Sequence, residues 1–233
     1  MSIKERLDEV NARIRRAAAE AGVDPESIVL VGASKTNDAS RVREAIAAGL
    51  KVCGENRVQE MLEKEGQGAY EGAELHFIGH LQKNKVKNVV GLASLIHSVD
   101  SLSLMDEIEK QAAKLSLVQD VLLEINIGRE EAKSGFFAED LPAALEKVSS
   151  LPHIRVRGLM AVPPICANGE ENRPYFLAMK QLFIDNMGKK YDNVYMDFMS
   201  MGMSGDFETA IACGANMIRL GSVIFGARDY SRH

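Results

Sequence analysis

The stretch Ile28-Val29-Leu30-Val31-Gly32-Ala33-Ser34-Lys35-Thr36-Asn37 decides the fold. Its β-branched and aliphatic start reads as a strand, and the turn after it carries one glycine where a dinucleotide-binding open sheet would carry G-x-G-x-x-G. Seven further runs of the same kind follow, at Val52–Asn56, Glu74–Leu81, Leu95–Asp100, Val121–Ile127, Arg155–Val162, Tyr195–Met201 and Met217–Ser222. Between them lie segments of helical period at 41–48, 57–65, 84–90, 102–115, 138–149, 172–187 and 207–213, and an amphipathic helix over Ile3–Ala21 precedes the first strand. A helix-length spacer cannot be a hairpin, so neighbouring strands are predicted to be parallel. Eight such units close into a (β/α)8 TIM barrel with an extra N-terminal helix. The alternative built from the same alternation is an open doubly wound sheet.

The chain has 233 residues, 46% of them hydrophobic, and a net charge of -5. That length bounds it to one domain or two small ones. Since barrels of roughly 200 to 250 residues are routinely single, the eight units predict one domain over 1–233. The acidic balance argues against a general nucleic-acid binder, which needs clustered excess Lys and Arg. With no Trp and five Tyr, an obvious set of base-stacking aromatics is missing as well. The charged start Met1-Ser2-Ile3-Lys4-Glu5-Arg6 does not read as a secretory signal, and no apolar run approaches the roughly 20 residues of a membrane span. Cys53, Cys166 and Cys213 are odd in number and widely spaced, which reads as buried free thiols in a reducing cytoplasm.

In such a barrel the chemistry belongs to residues just after each strand: Lys35, Asn56, His80, Asp100, Lys133, Ser200, Ser204 and Arg219 to Ser222. Lys35 leaves an apolar strand, where desolvation favours the neutral amine that imine formation needs; the plainer reading is a snorkelling strand-end lysine. Ser34-Lys35-Thr36 also resembles the end of a Walker A motif, but its glycine frame is absent. The loops Met199–Asp206 and Met217–Ser222 follow strands 7 and 8, where barrels of this kind bind phosphate with backbone N–H groups and a helix N-terminus. Ser204 reads equally as the N-cap of its helix and Gly221 as a turn. His76 and His80, four apart on a strand, stand roughly 13 Å apart at about 3.3 Å per residue, too far to share a metal. No metal site is expected. Glu55, Glu60, Glu130 and Glu131 read as solvated charge, and the eleven methionines mostly as core filler.

Eight short motifs in order are similar to the pyridoxal phosphate homeostasis protein (YggS/PROSC) family. They are Ser34-Lys35-Thr36; Gly54-Glu55-Asn56 with Val58-Gln59-Glu60; His76-Phe77-Ile78-Gly79 with Leu81-Gln82 and Asn84-Lys85; His97-Ser98-Val99-Asp100-Ser101; Asn126 to Gly135; Arg157-Gly158-Leu159-Met160; Ser200-Met201-Gly202-Met203-Ser204 with Asp206; and Arg219-Leu220-Gly221 with Ile224-Phe225-Gly226. The resemblance implies a barrel like the N-terminal domain of alanine racemase. It further implies pyridoxal 5'-phosphate (PLP) held as a Schiff base on Lys35, Arg219 facing the pyridine nitrogen, and Asn56 near the imine side of the ring. Ser200, Ser204, Gly221 and Ser222 would hold the phosphate. The family often has a proline shortly after Ser-Lys-Thr, a tyrosine at the position of Arg57 and a tryptophan at that of Leu75, so the Asn37-Asp38 turn departs from its pattern.

An arginine against the pyridine nitrogen keeps its proton, leaving the ring a poor electron sink, which disfavours transaminase chemistry. Two-base racemisation needs a second acid/base that racemases take from another domain, and the eight units here already use the chain. The expected function is therefore cytoplasmic PLP homeostasis, a carrier or buffer without substantial turnover. PLP-dependent apo-enzymes are the expected recipients, and a monomer is the family default. A small amino-acid racemase is the alternative, and a cofactor-free Schiff-base lyase acting on sugar phosphates is a rival from another class.

Overall fold

In the computed structural model, which describes residues 1–188 and 191–226, each of the eight runs becomes a strand. These are β1 (Val29–Ala33), β2 (Val52–Glu55), β3 (Glu74–Phe77), β4 (Leu95–Val99), β5 (Gln119–Ile125), β6 (Ile154–Ala161), β7 (Val194–Ser200) and β8 (Met217–Leu220). Their pairings are all parallel, in chain order, and β1 closes on β8 from Val29 opposite Met217 to Gly32 opposite Leu220. The barrel is therefore shut, and the open-sheet alternative is excluded.

The helices are α1 (Ile3–Ala21), α2 (Ala39–Ala47), α3 (Val58–Glu65), α4 (Leu102–Lys114), α5 (Leu141–Ser149), α6 (Arg173–Met187), α7 (Phe207–Ala212) and α8 (Ser222–Phe225). The helix expected at 84–90 is instead a 3₁₀ segment, Lys83–Asn88. Asn and Val are weak helix formers, and Val86 is the segment's one buried side chain, so too little apolar surface repays a longer helix. α1 begins at a capping box formed by Ser2 and Glu5 and ends at Gly22 in the left-handed region. Its buried face of Ile3, Leu7, Val10, Ile14, Ala17 and Ala18 packs against α7, α8 and α2.

Alternation along the strands makes two cores. Outward-facing residues such as Cys53, Phe77, Ile96, Leu123 and Ile218 meet the helices. Inside, Val31, Val52, Leu95, Leu122, Met160 and Met217 form an apolar layer. Beside it His76, His97, Ser200 and Arg219 are buried within the barrel. Cys53 and Cys213 are buried, while Cys166 is only half-buried in the loop after β6, so the expectation of three buried thiols holds for two. Among the described residues no helix is long and apolar enough to cross a membrane.

Candidate functional site

Lys35 is half-buried in the turn that follows β1. The turn is held mainly by its neighbours. Thr36 adopts φ 65°, its N–H donates to Glu60 Oε2 (3.0 Å), and the Asn37 N–H donates to the Ser34 carbonyl (3.1 Å). Asn37 Nδ2 donates to the Lys35 carbonyl (3.2 Å), and Asn37 Oδ1 accepts from Arg41 Nε (3.0 Å). Asp38 then caps α2 by accepting from the Arg41 N–H at 3.0 Å, and the Ser40 hydroxyl helps hold its carboxyl below the usual range. The Asn37-Asp38 turn that departs from the family pattern is thus fully engaged. Glu60, read as solvated, is a loop anchor.

Beneath Lys35 lies a buried ion pair, and it corrects the reading of Glu55 as solvated charge. Glu55 is 0% exposed. It shares the outward face of β2 with Cys53, so its side chain meets the helical layer instead of water. There Oε1 accepts from Lys64 Nζ (2.6 Å), Ser34 Oγ (2.6 Å) and Tyr70 Oη (3.0 Å). Lys64 Nζ also donates to the Ser34 carbonyl at 2.9 Å, which fixes the peptide leading into Lys35. Burial and the adjacent carboxylate push the Tyr70 phenol far above its usual range, so it stays a donor. On the sequence alone a glutamate nine residues before a lysine carries no signal of this pairing.

Arg219, on β8, points into the barrel and is 6% exposed. It donates to Ser200 Oγ (2.6 Å) and to the Ala161 carbonyl (2.9 Å). Burial lowers its pKa to about 10, so it remains a cation at neutral pH. Ser200 is completely buried between Arg219 and His97, whose Nδ1 lies 3.1 Å away. Ser204 does not cap α7; that position is taken by Asp206, whose carboxylate accepts from the Met203 N–H (2.6 Å) and from Asn172 (2.8 Å). Ser204 Oγ instead accepts from the Gly221 N–H at 3.4 Å, joining the loops after β7 and β8. Gly202 makes that loop possible. Its φ is 94°, and a Cβ there would come within 2.7 Å of the Ala210 side chain.

Gly221 opens α8, with Ser222 as its first residue. Asn56 follows β2, and its Oδ1 is buried without a partner among the described residues. Gly79 lies so close that a Cβ on it would sit 2.1 Å from the Asn56 carbonyl oxygen. Lys133 is engaged elsewhere, with Nζ 2.5 Å from Glu130 Oε1 and 3.4 Å from the Pro163 carbonyl. His80 pairs with Asp100 at 3.2 Å. Among the described residues no group of three or more His, Cys, Asp or Glu side chains is placed to hold a metal.

Glu124 belongs to this site although its sequence context gave no hint of it. Burial, then the nearby Asp100 charge, raises its pKa to about 7 against the partial relief of Arg219 and His80. A carboxyl raised on folding stabilises below its unfolded pKa, and that contribution is lost as pH climbs through the folded one. Glu124→Gln is therefore expected to gain stability relative to the parent as pH rises from about 4.5 to about 7, read by urea denaturation across pH. A difference that does not change with pH contradicts this environment.

The model of the alanine racemase N-terminal domain matches residues 6–229. A pyridoxal phosphate homeostasis protein of Aquifex aeolicus is 46% identical over 230 residues, 99% of this chain and 100% of its own. That of Pseudomonas aeruginosa is 42% identical, covering 98% and 97%. This chain belongs to the pyridoxal phosphate homeostasis protein family. Among solved structures, PipY of Synechococcus elongatus with PLP bound superposes with a TM-score of 0.84 at 31% identity, covering 97% of this chain and 100% of that one. As in other closed barrels, this family member gathers Lys35, Asn56, Ser204, Gly221 and Ser222 just beyond strand C-termini, with Ser200 and Arg219 just inside the same mouth.

Proposed function

We propose that the chain is one PLP-binding unit over 1–233 that acts in the cytoplasm as a carrier or buffer of PLP, holding it through Lys35 and releasing it to PLP-dependent apo-enzymes without substantial turnover. One juxtaposition carries this reading. β1 and β8 are neighbours, and Gly221 lies against the end of β1, where a Cβ would make ordinary contact with the Ala33 carbonyl oxygen at 3.4 Å. The amine-bearing turn and the loop with the features of a phosphate site are therefore adjacent.

The residues fit the group. PLP brings an aldehyde that condenses reversibly with a primary amine, an aromatic ring nitrogen and a phosphate dianion. Lys35 offers the amine. The Ser204 hydroxyl and the N–H of Ser222, which as the first residue of a helix lacks an intrahelical acceptor, offer donors to the phosphate, and the Gly221 N–H, on Ser204 Oγ at 3.4 Å, lies beside them. Arg219 offers a permanent N–H donor to the ring nitrogen, and the unpartnered Asn56 Oδ1 marks an acceptor still to be satisfied. Ser200, fully engaged by Arg219 and His97, orients the arginine at least as much as it serves the phosphate. A protonated Arg219 would leave the ring nitrogen unprotonated, which suits storage better than transaminase chemistry.

Titrating the protein with PLP is expected to develop a visible absorption band, and incubation with L-alanine or L-serine to yield no rapid accumulation of the D-isomer. Rapid D-isomer formation would establish the racemase reading instead. Ser204→Ala is expected to weaken PLP binding by about 1.5 to 3 kcal/mol, the usual worth of a hydrogen bond to a charged group. Equal affinity in the same titration removes Ser204 from the phosphate contacts.

A further inference from the structure

A file of polar side chains runs through the barrel interior from Arg219 and Ser200 to three residues that the proposed binding of PLP leaves unexplained: His97, His76 and, at the opposite mouth, Glu74. Successive contacts are 2.6 Å from Arg219 to Ser200 Oγ, 3.1 Å from Ser200 Oγ to His97 Nδ1 and 3.0 Å from His97 Nε2 to His76 Nδ1. His76 Nε2 then lies 3.4 Å from the Glu74 carboxylate. Glu74 opens β3 and its side chain is 68% exposed, lining a cavity at the N-terminal mouth with His76, Asp120 and Arg157. We infer that Glu74, His76 and His97 are positioning residues for Arg219, setting a one-directional hydrogen-bond chain through the barrel that holds the guanidinium in place.

The direction follows from which atoms can donate. Arg219 has only donors, so Ser200 Oγ accepts from it. Ser200 is completely buried, and its own hydroxyl proton has one acceptor among the described residues, His97 Nδ1. His97 must then carry its hydrogen on Nε2 and donate it to His76 Nδ1. That leaves the His76 hydrogen on Nε2, turned toward the Glu74 carboxylate. The reverse order would set a bare nitrogen lone pair against a carboxylate at one end and strand the Ser200 proton at the other. Burial keeps both rings neutral, pushing His76 down to about 4 and His97 well below the usual imidazole range. Every group therefore turns its acceptor end toward Arg219, and such aligned dipoles favour a desolvated cation.

The functional consequence rests on the reading of Arg219 as the ring-nitrogen contact, whereas the chain itself can be tested without any cofactor. Two-bond ¹H–¹⁵N correlation on full-length, ¹⁵N-histidine-labelled protein at neutral pH is expected to show His76 and His97 as neutral Nε2–H tautomers. An Nδ1–H tautomer at His97 overturns the inference. In Glu74→Gln, an exposed change, the amide can donate to His76 Nε2, so the Nδ1–H form of His76 is expected to become populated and the His97 signals to shift with it. Unchanged tautomers at both rings overturn the role of Glu74. Adding PLP to the same variant is expected to give a bound absorption maximum shifted from that of the parent, and an identical maximum and affinity overturn the positioning of Arg219. A parent protein that takes up no PLP refutes the proposed function instead, and the tautomer measurement still decides this inference.

Discussion

Lys35→Ala is expected to abolish the visible band that develops when PLP is added, while circular dichroism still reports a folded barrel. The turn should survive the change. Several of its hydrogen bonds do not involve the Lys35 side chain: those of the Thr36 and Asn37 main chain, of the Glu60 and Asn37 side chains, and the Lys64 contact to the Ser34 carbonyl. What is lost is the primary amine, and no rearrangement of neighbours replaces it. Non-covalent affinity should persist in part, because Ser204, Gly221, Ser222 and Arg219 are untouched. A variant that keeps the band must be using another amine. Lys133 is the alternative raised by sequence, and its ion pair with Glu130 argues against it.

The second large effect is expected at Lys64. Removing one member of a buried ion pair leaves an uncompensated charge, at a typical cost of about 3 to 5 kcal/mol, so Lys64→Met should fall in that range by urea denaturation. Glu55 would keep Ser34 and Tyr70 as neutral donors and lose its only cationic partner among the described residues. The double variant Glu55→Gln with Lys64→Met removes both charges and is expected to recover most of the loss, since uncharged replacements of a buried pair are often near neutral. A cost at Lys64→Met below about 1 kcal/mol, the range of exposed pairs, contradicts the buried pairing. The same variant frees the Ser34 carbonyl, so weaker PLP uptake should accompany the instability.

The architecture was legible because it rests on patterns that repeat. Eight apolar runs spaced by helix-length segments admit few closed arrangements, and α1 shows its buried face as plain amphipathic spacing. The placement of Lys35, Ser204 and Gly221 at the C-terminal mouth, with Arg219 in the last strand just inside it, is legible for a related reason: a barrel gives meaning to positions at strand ends, whatever their neighbours in sequence. What escaped was long-range pairing. Glu55 looked solvated because a carboxylate usually is, and only the fold shows Lys64, Tyr70 and Ser34 closing over it. Sequence spacing sets His76 against His80, which lies beyond the end of β3, whereas its ring partner is His97 on the adjacent strand. Of the two roles open to Ser204 in sequence, the cap falls away, because Asp206 two residues later takes that position. Each of these misses concerns a polar group whose environment is set by distant segments, where local propensity says nothing.

Covalent capture of PLP depends on one amine at the C-terminal mouth. Incubating the parent protein with PLP, reducing with borohydride and locating the added pyridoxyl mass by peptide mapping tests it most directly. The label is expected on Lys35; a label on Lys133 or any other lysine, or no label with PLP in excess, would contradict the proposed function.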